Sequence, residues 1–122
     1  MDKSIQIKTN NKTYTAMLND NCCVDDILNM LPMELELNRY AGHEYYSSLP
    51  EKPTIKGVAM TSDAHAGGLY YFNGWNAFTI VFENAHIDPY KVVHVGDVEK
   101  ELIAYLASAG ETVIARITIA KV

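Results

Sequence analysis

The chain has 122 residues, 48% of them hydrophobic and 20% charged, enough apolar material for one globular domain over residues 1–122 and too much for a disordered chain. Ten basic against fifteen acidic side chains give a net charge of −5, and only Arg39 and Arg116 are arginines. No stretch gathers Lys or Arg into a basic face, so no nucleic-acid partner is expected, and no run of about 18 apolar residues exists to cross a membrane.

The N-terminal stretch is polar and alternating, without the apolar run of a signal peptide. Ser4-Ile5-Gln6-Ile7-Lys8 has the period of a half-buried strand, and Asn10-Asn11 supplies a turn because Asn tolerates positive φ. Residues 13–18 alternate again, with Tyr14, Ala16 and Leu18 on one face, completing a hairpin. Asp20 or Asn21 is placed to cap a helix, in which Val24, Ile27, Leu28 and Leu31 recur at helical spacing until Pro32 stops it. Asp25 and Asp26 suit the positive end of its dipole.

Residues 33–38 alternate cleanly as a strand, Ala41-Gly42 breaks it, and residues 43–49 form its expected hairpin partner. Residues 50–67, with two prolines, Gly57 and small polar side chains, read as a long loop, and loops of that length tend to carry function. Leu69-Tyr70-Tyr71-Phe72, Asn73-Gly74 and residues 75–83 give the strongest hairpin signal in the chain. After a loop over residues 85–90, residues 92–95 read as a short strand. Asp97 is expected to cap a second helix bearing Val98, Leu102, Tyr105 and Leu106 on one face, with Gly110 as its stop. Val113, Ala115, Ile117 and Ile119 alternate in a final strand. About eight strands and two helices, without βαβ alternation, predict an all-β, closed antiparallel barrel with a helix over each end. Ile5, Leu35, Ile80 and Ile117 should meet inside it.

Several segments resemble the cyclophilins. Gly67-Gly68-Leu69-Tyr70-Tyr71-Phe72-Asn73 is similar to their Gly-Ile-Leu-Ser-Met-Ala-Asn stretch, and Asn76-Ala77-Phe78-Thr79-Ile80 to Ser-Gln-Phe-Phe-Ile. Residues 91–98, running into a helix, resemble the Val-Val-Phe-Gly-Lys-Val segment. Leu31-Pro32, Tyr40-Ala41-Gly42-His43-Glu44 and Leu49-Pro50 resemble a group of small bacterial cyclophilin-like domains of unknown function. The resemblance spans nearly the whole chain and implies a cyclophilin-like barrel. It also departs where chemistry is done. The arginine of the isomerases would fall at Ser47, their groove phenylalanine at Thr79, their groove glutamine at Ala77, and their groove Met and Asn at Tyr71 and Asn73. A fixed cation stabilises the lone pair that forms on a twisting proline nitrogen, so its loss implies weak isomerisation or none.

The leading expectation is therefore a non-catalytic module that binds a peptide or small molecule in a groove of Tyr46, Tyr71, Asn73, Trp75 and Thr79. The alternatives are a diverged peptidyl-prolyl isomerase with Arg39 as its cation, and an interaction scaffold. No cofactor motif occurs. Asp63 and His65 could donate two metal ligands, but no third stands near in sequence, so no metal is expected. Cys22 and Cys23 are adjacent, too close to bridge each other readily. They read as free thiols of a reducing cytoplasm, with small apolar packing rather than redox chemistry as the expected role. The sequence does not give the oligomeric state.

Overall fold

A computed structural model describes residues 3–120; the first two residues of the polar N-terminal stretch lie outside it. The chain runs β1 (Lys3–Thr9), β2 (Lys12–Leu18), α1 (Cys22–Leu28), β3 (Met33–Tyr40), β4 (Glu44–Ser48), β5 (Asp63–Ala64), β6 (Gly68–Phe72), a 3-10 turn (Asn73–Trp75), β7 (Ala77–Val81), β8 (Ala85–His86), β9 (Val93–Val98), α2 (Lys100–Ala107) and β10 (Thr112–Ile119). Eight strands close antiparallel in the order β1-β10-β3-β4-β7-β6-β9-β2, and β5 pairs with β8 apart from them.

Alternation drives the closure. Ile5 and Ile7, Tyr14 and Ala16, Leu35 and Leu37, and Ala115 and Ile117 are each buried at every second position, and closing the sheet lets them share one interior. Ile5, Leu35, Ile80 and Ile117 meet there. Asn10 and Asn11 both take positive φ (53° and 60°), so the β1–β2 turn has the twist of its strands. Asn21 caps α1 by accepting from Val24 N at 2.9 Å. Helix α1 covers one mouth with Cys23, Val24 and Ile27, and α2 covers the other with Leu102 and Leu106. No helix among the described residues is long and apolar enough to cross a membrane.

Helix α1 ends at Leu28, so Leu31 lies outside it and Pro32 is not its stop. Three further expectations need correction. Asn73-Gly74 is not a two-residue hairpin turn: Asn73–Trp75 form a 3-10 turn closed by Asn76 at φ 48°, and β7 begins at Ala77. The Asn76 side chain decides this. It accepts from Tyr71 Oη at 2.7 Å and donates to Leu49 O at 3.3 Å and Glu51 O at 3.2 Å, ties that a shorter turn could not make. Second, the strand read at residues 92–95 extends over Val93–Val98, so Asp97 lies in β9 and does not cap α2. Helix α2 begins beyond Glu99, whose carboxylate accepts from Thr15 N at 2.6 Å. Third, α2 ends at Ser108 rather than against Gly110, because Arg39 satisfies its last carbonyls.

Cys22 and Cys23 are free, Cys22 partly exposed and Cys23 buried. Burial, with smaller contributions from Cys22 and Asp26, pushes the Cys23 thiol up to about 12. At pH 8 a disulfide reagent such as DTNB should titrate one thiol in the native protein and two in denaturant. Two equally fast native thiols would contradict this packing.

Candidate functional site

Most of the barrel's strands are buried on one face, but β7 is buried at all five positions and β6 at four of five. Their outer faces are covered by the long loop and by residues 82–92, which the β5–β8 pair staples together. Thr61 and Val92 add a reciprocal pair of backbone hydrogen bonds at 2.9 Å. Ala64, Tyr70, Val81 and Val92 form a second apolar cluster beneath this cover, with Phe72 and Ile87 packed on it. The cover stops short of β4 and leaves a pocket of ≈190 Å³ on the outer wall of the barrel.

Ala77, Thr79, Val81 and Tyr70 form the pocket floor, and Ala64, Ile87 and Val92 line the side under the cover. The opposite walls are aromatic. Trp75 meets Tyr40 edge to face at 5.2 Å and Phe72 at 5.6 Å, and Phe72 meets Tyr90 at 6.0 Å. Tyr40, Trp75 and Tyr90 remain 45%, 47% and 63% exposed, much apolar area for side chains with packing partners so near. His43 and Glu44 add the pocket's charged and titratable groups.

Glu44 is the unusual member. Burial raises its carboxyl above the ordinary 4.5, and His43 partly offsets that. His43 Nε2 lies 2.9 Å from Glu44 Oε1, within ion-pair distance when the imidazole is protonated but out of line for a hydrogen bond. That ring nitrogen is consequently buried without a hydrogen-bond partner among the described residues.

The groove residues expected from the sequence divide. Trp75 and Thr79 line the pocket. Tyr46 stands behind its wall, with its ring 5.9 Å from Tyr40 and 5.4 Å from Trp75. Tyr71 is fully buried in the barrel interior, where it donates to Asn76. Asn73 is an exposed residue of the 3-10 turn, its carbonyl accepting from Asn76 N at 3.2 Å. Register explains why Tyr71 and Thr79 part company. Tyr71 pairs with Phe78 and Tyr70 with Thr79, and cross-strand partners share a face. A groove containing Thr79 must therefore contain Tyr70 and turn Tyr71 inward.

Arg39 lies on the other side of the sheet. In β3, Leu35, Leu37 and Arg39 share the inward face, while Tyr40 points out. Its guanidinium donates to Leu106 O, Ala107 O and Ala109 O at 3.1 Å each and to Tyr45 Oη at 3.0 Å, and stacks 4.5 Å over the Phe82 ring. It holds the end of α2 in the barrel mouth and does not line the candidate pocket.

Beyond Tyr70 on the same outer wall the fold gathers His65, His94 and Asp97. Asp97 Oδ1 lies 2.8 Å from His65 Nε2 and 3.1 Å from His94 Nε2. Burial raises the Asp97 carboxyl, but the hydrogen bonds and charges of the two histidines outweigh it and hold the pKa below the ordinary value. The Tyr70 hydroxyl accepts from His65 N at 3.0 Å and lies 2.9 Å from His65 Nδ1, and the Tyr70 ring stacks on His94 at 4.9 Å. Only glycine at position 68 permits this, since a Cβ there would sit 2.4 Å from the Tyr70 ring. Of the two ligands the local sequence offered, only His65 joins this cluster: Asp63 lies 2.6 Å from His86 Nδ1 instead, and a distant strand supplies His94 and Asp97.

Sequence reasoning missed Tyr40, His43, Glu44, Tyr70, Phe72 and Tyr90. Period-2 alternation carried a signal for Tyr40 and Glu44, which pair across β3 and β4 on the outward face. Nothing local marks Tyr90, which only the folded cover brings over β6.

The chain is similar in fold to the solution structure of a hypothetical protein from Archaeoglobus fulgidus, at TM-score 0.69 and 15% identity, over 98% of this chain and 95% of that one. No curated protein matches it. The family model described as Cyclophilin-like family matches residues 7–118. That match covers nearly the whole barrel, and the protein belongs to the Cyclophilin-like family.

Proposed function

We propose that this protein is a binding module for an organic cation, an alkylammonium group either free or on the side chain of a peptide. The observation that carries the reading is a desolvated carboxyl, Glu44, in a pocket walled by Tyr40, Phe72, Trp75 and Tyr90. Aromatic faces carry negative quadrupoles that attract cations, and a carboxylate supplies the counter-charge. A neutral apolar ligand would have no use for Glu44, and an anion would be repelled by it and by the net charge of −5. The unpartnered His43 Nε2 offers a further polar contact that fixes orientation. Glu44 also bears on stability. A carboxyl whose folded pKa is raised favours folding below the unfolded value, and that contribution is lost as pH rises through the folded value. Glu44→Gln should therefore stabilise the free protein at neutral pH.

Trp75 is the only tryptophan, so its fluorescence reports the pocket directly. Titration with choline, with trimethyl-lysine amide and with a trimethyl-lysine peptide should change it, and the comparison separates free from peptide-borne cations. The neutral isostere 3,3-dimethylbutanol should bind at least tenfold more weakly, and Glu44→Gln and Trp75→Ala should each weaken choline binding about tenfold, the latter read by NMR. Affinity should fall on acidification at a pH above 4.5, as the raised Glu44 carboxyl takes up its proton. Absence of any response to 10 mM cation, or equal binding of the neutral isostere, would refute the reading. The two free thiols suit a reducing compartment, and we place the module in the cytoplasm with no nucleic-acid partner.

A further inference from the structure

We propose that His65, His94 and Asp97 form a binding site for a divalent first-row transition cation of the zinc type, separate from the aromatic pocket. Two imidazole nitrogens and one carboxylate oxygen suit such ions, and three protein ligands leave a coordination position open to solvent. The three ligand atoms lie within 4.8 Å of one another. Tetrahedral bonds of about 2.0–2.1 Å would set them roughly 3.3 Å apart. The present separations of 2.8 and 3.1 Å around Asp97 Oδ1 need to open by only a few tenths of an ångström to admit an ion. His65 and Asp97 are each more than half exposed and His94 about a third, so an ion has a path in.

The backbone is built for this meeting. Residues three apart on a regular strand face opposite sides, which would separate His94 from Asp97. In β9 the register slips: Leu69 pairs with Gly96 but Tyr70 with His94, so Val95 is an extra residue. That bulge returns Asp97 to the outer side with His94, while Val93, Val95 and Val98 stay in the core. The ligands are also held from behind. Tyr70 Oη contacts both the backbone N and Nδ1 of His65, which aims Nε2 at Asp97. A hydroxyl both donates and accepts, so Tyr70 can accept a hydrogen bond from Nδ1–H in the tautomer whose Nε2 is bare for a metal. The His86–Asp63 pair, at 2.6 Å, is largely exposed and has no such support among the described residues.

The test is titration of the metal-stripped full chain with Zn²⁺ by calorimetry and with Co²⁺ by visible absorption. One equivalent should bind, with cobalt bands of a nitrogen–oxygen site and no thiolate charge-transfer band. His94→Ala and Asp97→Asn should each weaken Zn²⁺ binding at least tenfold, while His86→Ala and Trp75→Ala leave it unchanged. Ring NMR of the wild type guards against a variant that misfolds: Zn²⁺ should shift His65 and His94 and spare His86. No binding at millimolar Zn²⁺, a thiolate band placing the ion at Cys22, ring shifts that spare His65 and His94, or full affinity in the His94→Ala, Asp97→Asn double variant would each overturn the proposal.

Discussion

Replacing Arg39 by alanine is expected to destabilise the protein by about 3 kcal/mol in urea unfolding. The last carbonyls of a helix have no partner within it. In α2 those of Leu106 and Ala107, with Ala109 just beyond, all receive the Arg39 guanidinium, which also holds Tyr45 Oη. Tyr45 in turn donates to Gly110 O at 2.6 Å, so one side chain ties β3, β4 and the end of α2 together. Hydrogen bonds to a charged group are each worth roughly 1.5–3 kcal/mol, and a set sharing one cation contributes less than its sum. Lysine should rescue little, because its ammonium cannot reproduce the planar fork over Phe82. A loss below about 0.5 kcal/mol, the scale of an ordinary surface change, would show that the contacts are incidental. Wild type and variant should isomerise a proline peptide equally, since Arg39 and the groove lie on opposite sides of the sheet.

An equally large loss, about 3 kcal/mol, is expected for Gly96→Ala. A Cβ at this position would lie 2.4 Å from Met17 O and 2.9 Å from both Leu18 Cα and Leu18 Cδ2. Two of those atoms are backbone of the neighbouring strand, which cannot step aside without opening the barrel. The seam concerned is short: β2 and β9 pair through Ala16–Val98, Met17–Asp97 and Leu18–Gly96, with Asn19 N donating to Val95 O at 2.8 Å just beyond. Forcing it apart should lower the melting temperature and speed amide exchange in β2 and β9. Gly110→Ala, where a Cβ meets nothing within 4 Å, should stay within about 0.5 kcal/mol and serves as the control. A Gly96→Ala protein as stable as that control would mean the strands separate more easily than their packing implies.

The barrel was legible because its signal is local. Period-2 alternation in β1, β2, β3 and β10 assigns each residue a face, and the only economical way to bury four such faces without exposed edges is to close them. The site was legible only in part. Trp75 and Thr79 were found, but β6 and β7 are buried on both faces and carry no alternation to show which way Tyr70 and Tyr71 point. The likeness to cyclophilins could not settle that parity; pairing of Tyr70 with Thr79 does. Asp97 read as a helix cap because acid before an apolar helical period is a common start signal. The bulge at Val95 and the two histidines that claim its carboxylate cannot be seen in a string of residues.

By itself the amino-acid order determined strand periodicity, the two amphipathic helices and hence an all-β barrel, since each depends on neighbours within a few positions along the chain. Only the tertiary structure decided which aromatic rings surround Glu44, that Arg39 serves a helix end, and that His65 meets His94 and Asp97. Those outcomes turn on cross-strand register and on where a long loop comes to rest. Both are set by packing between segments tens of residues apart, where a one-residue shift moves a side chain to the opposite face.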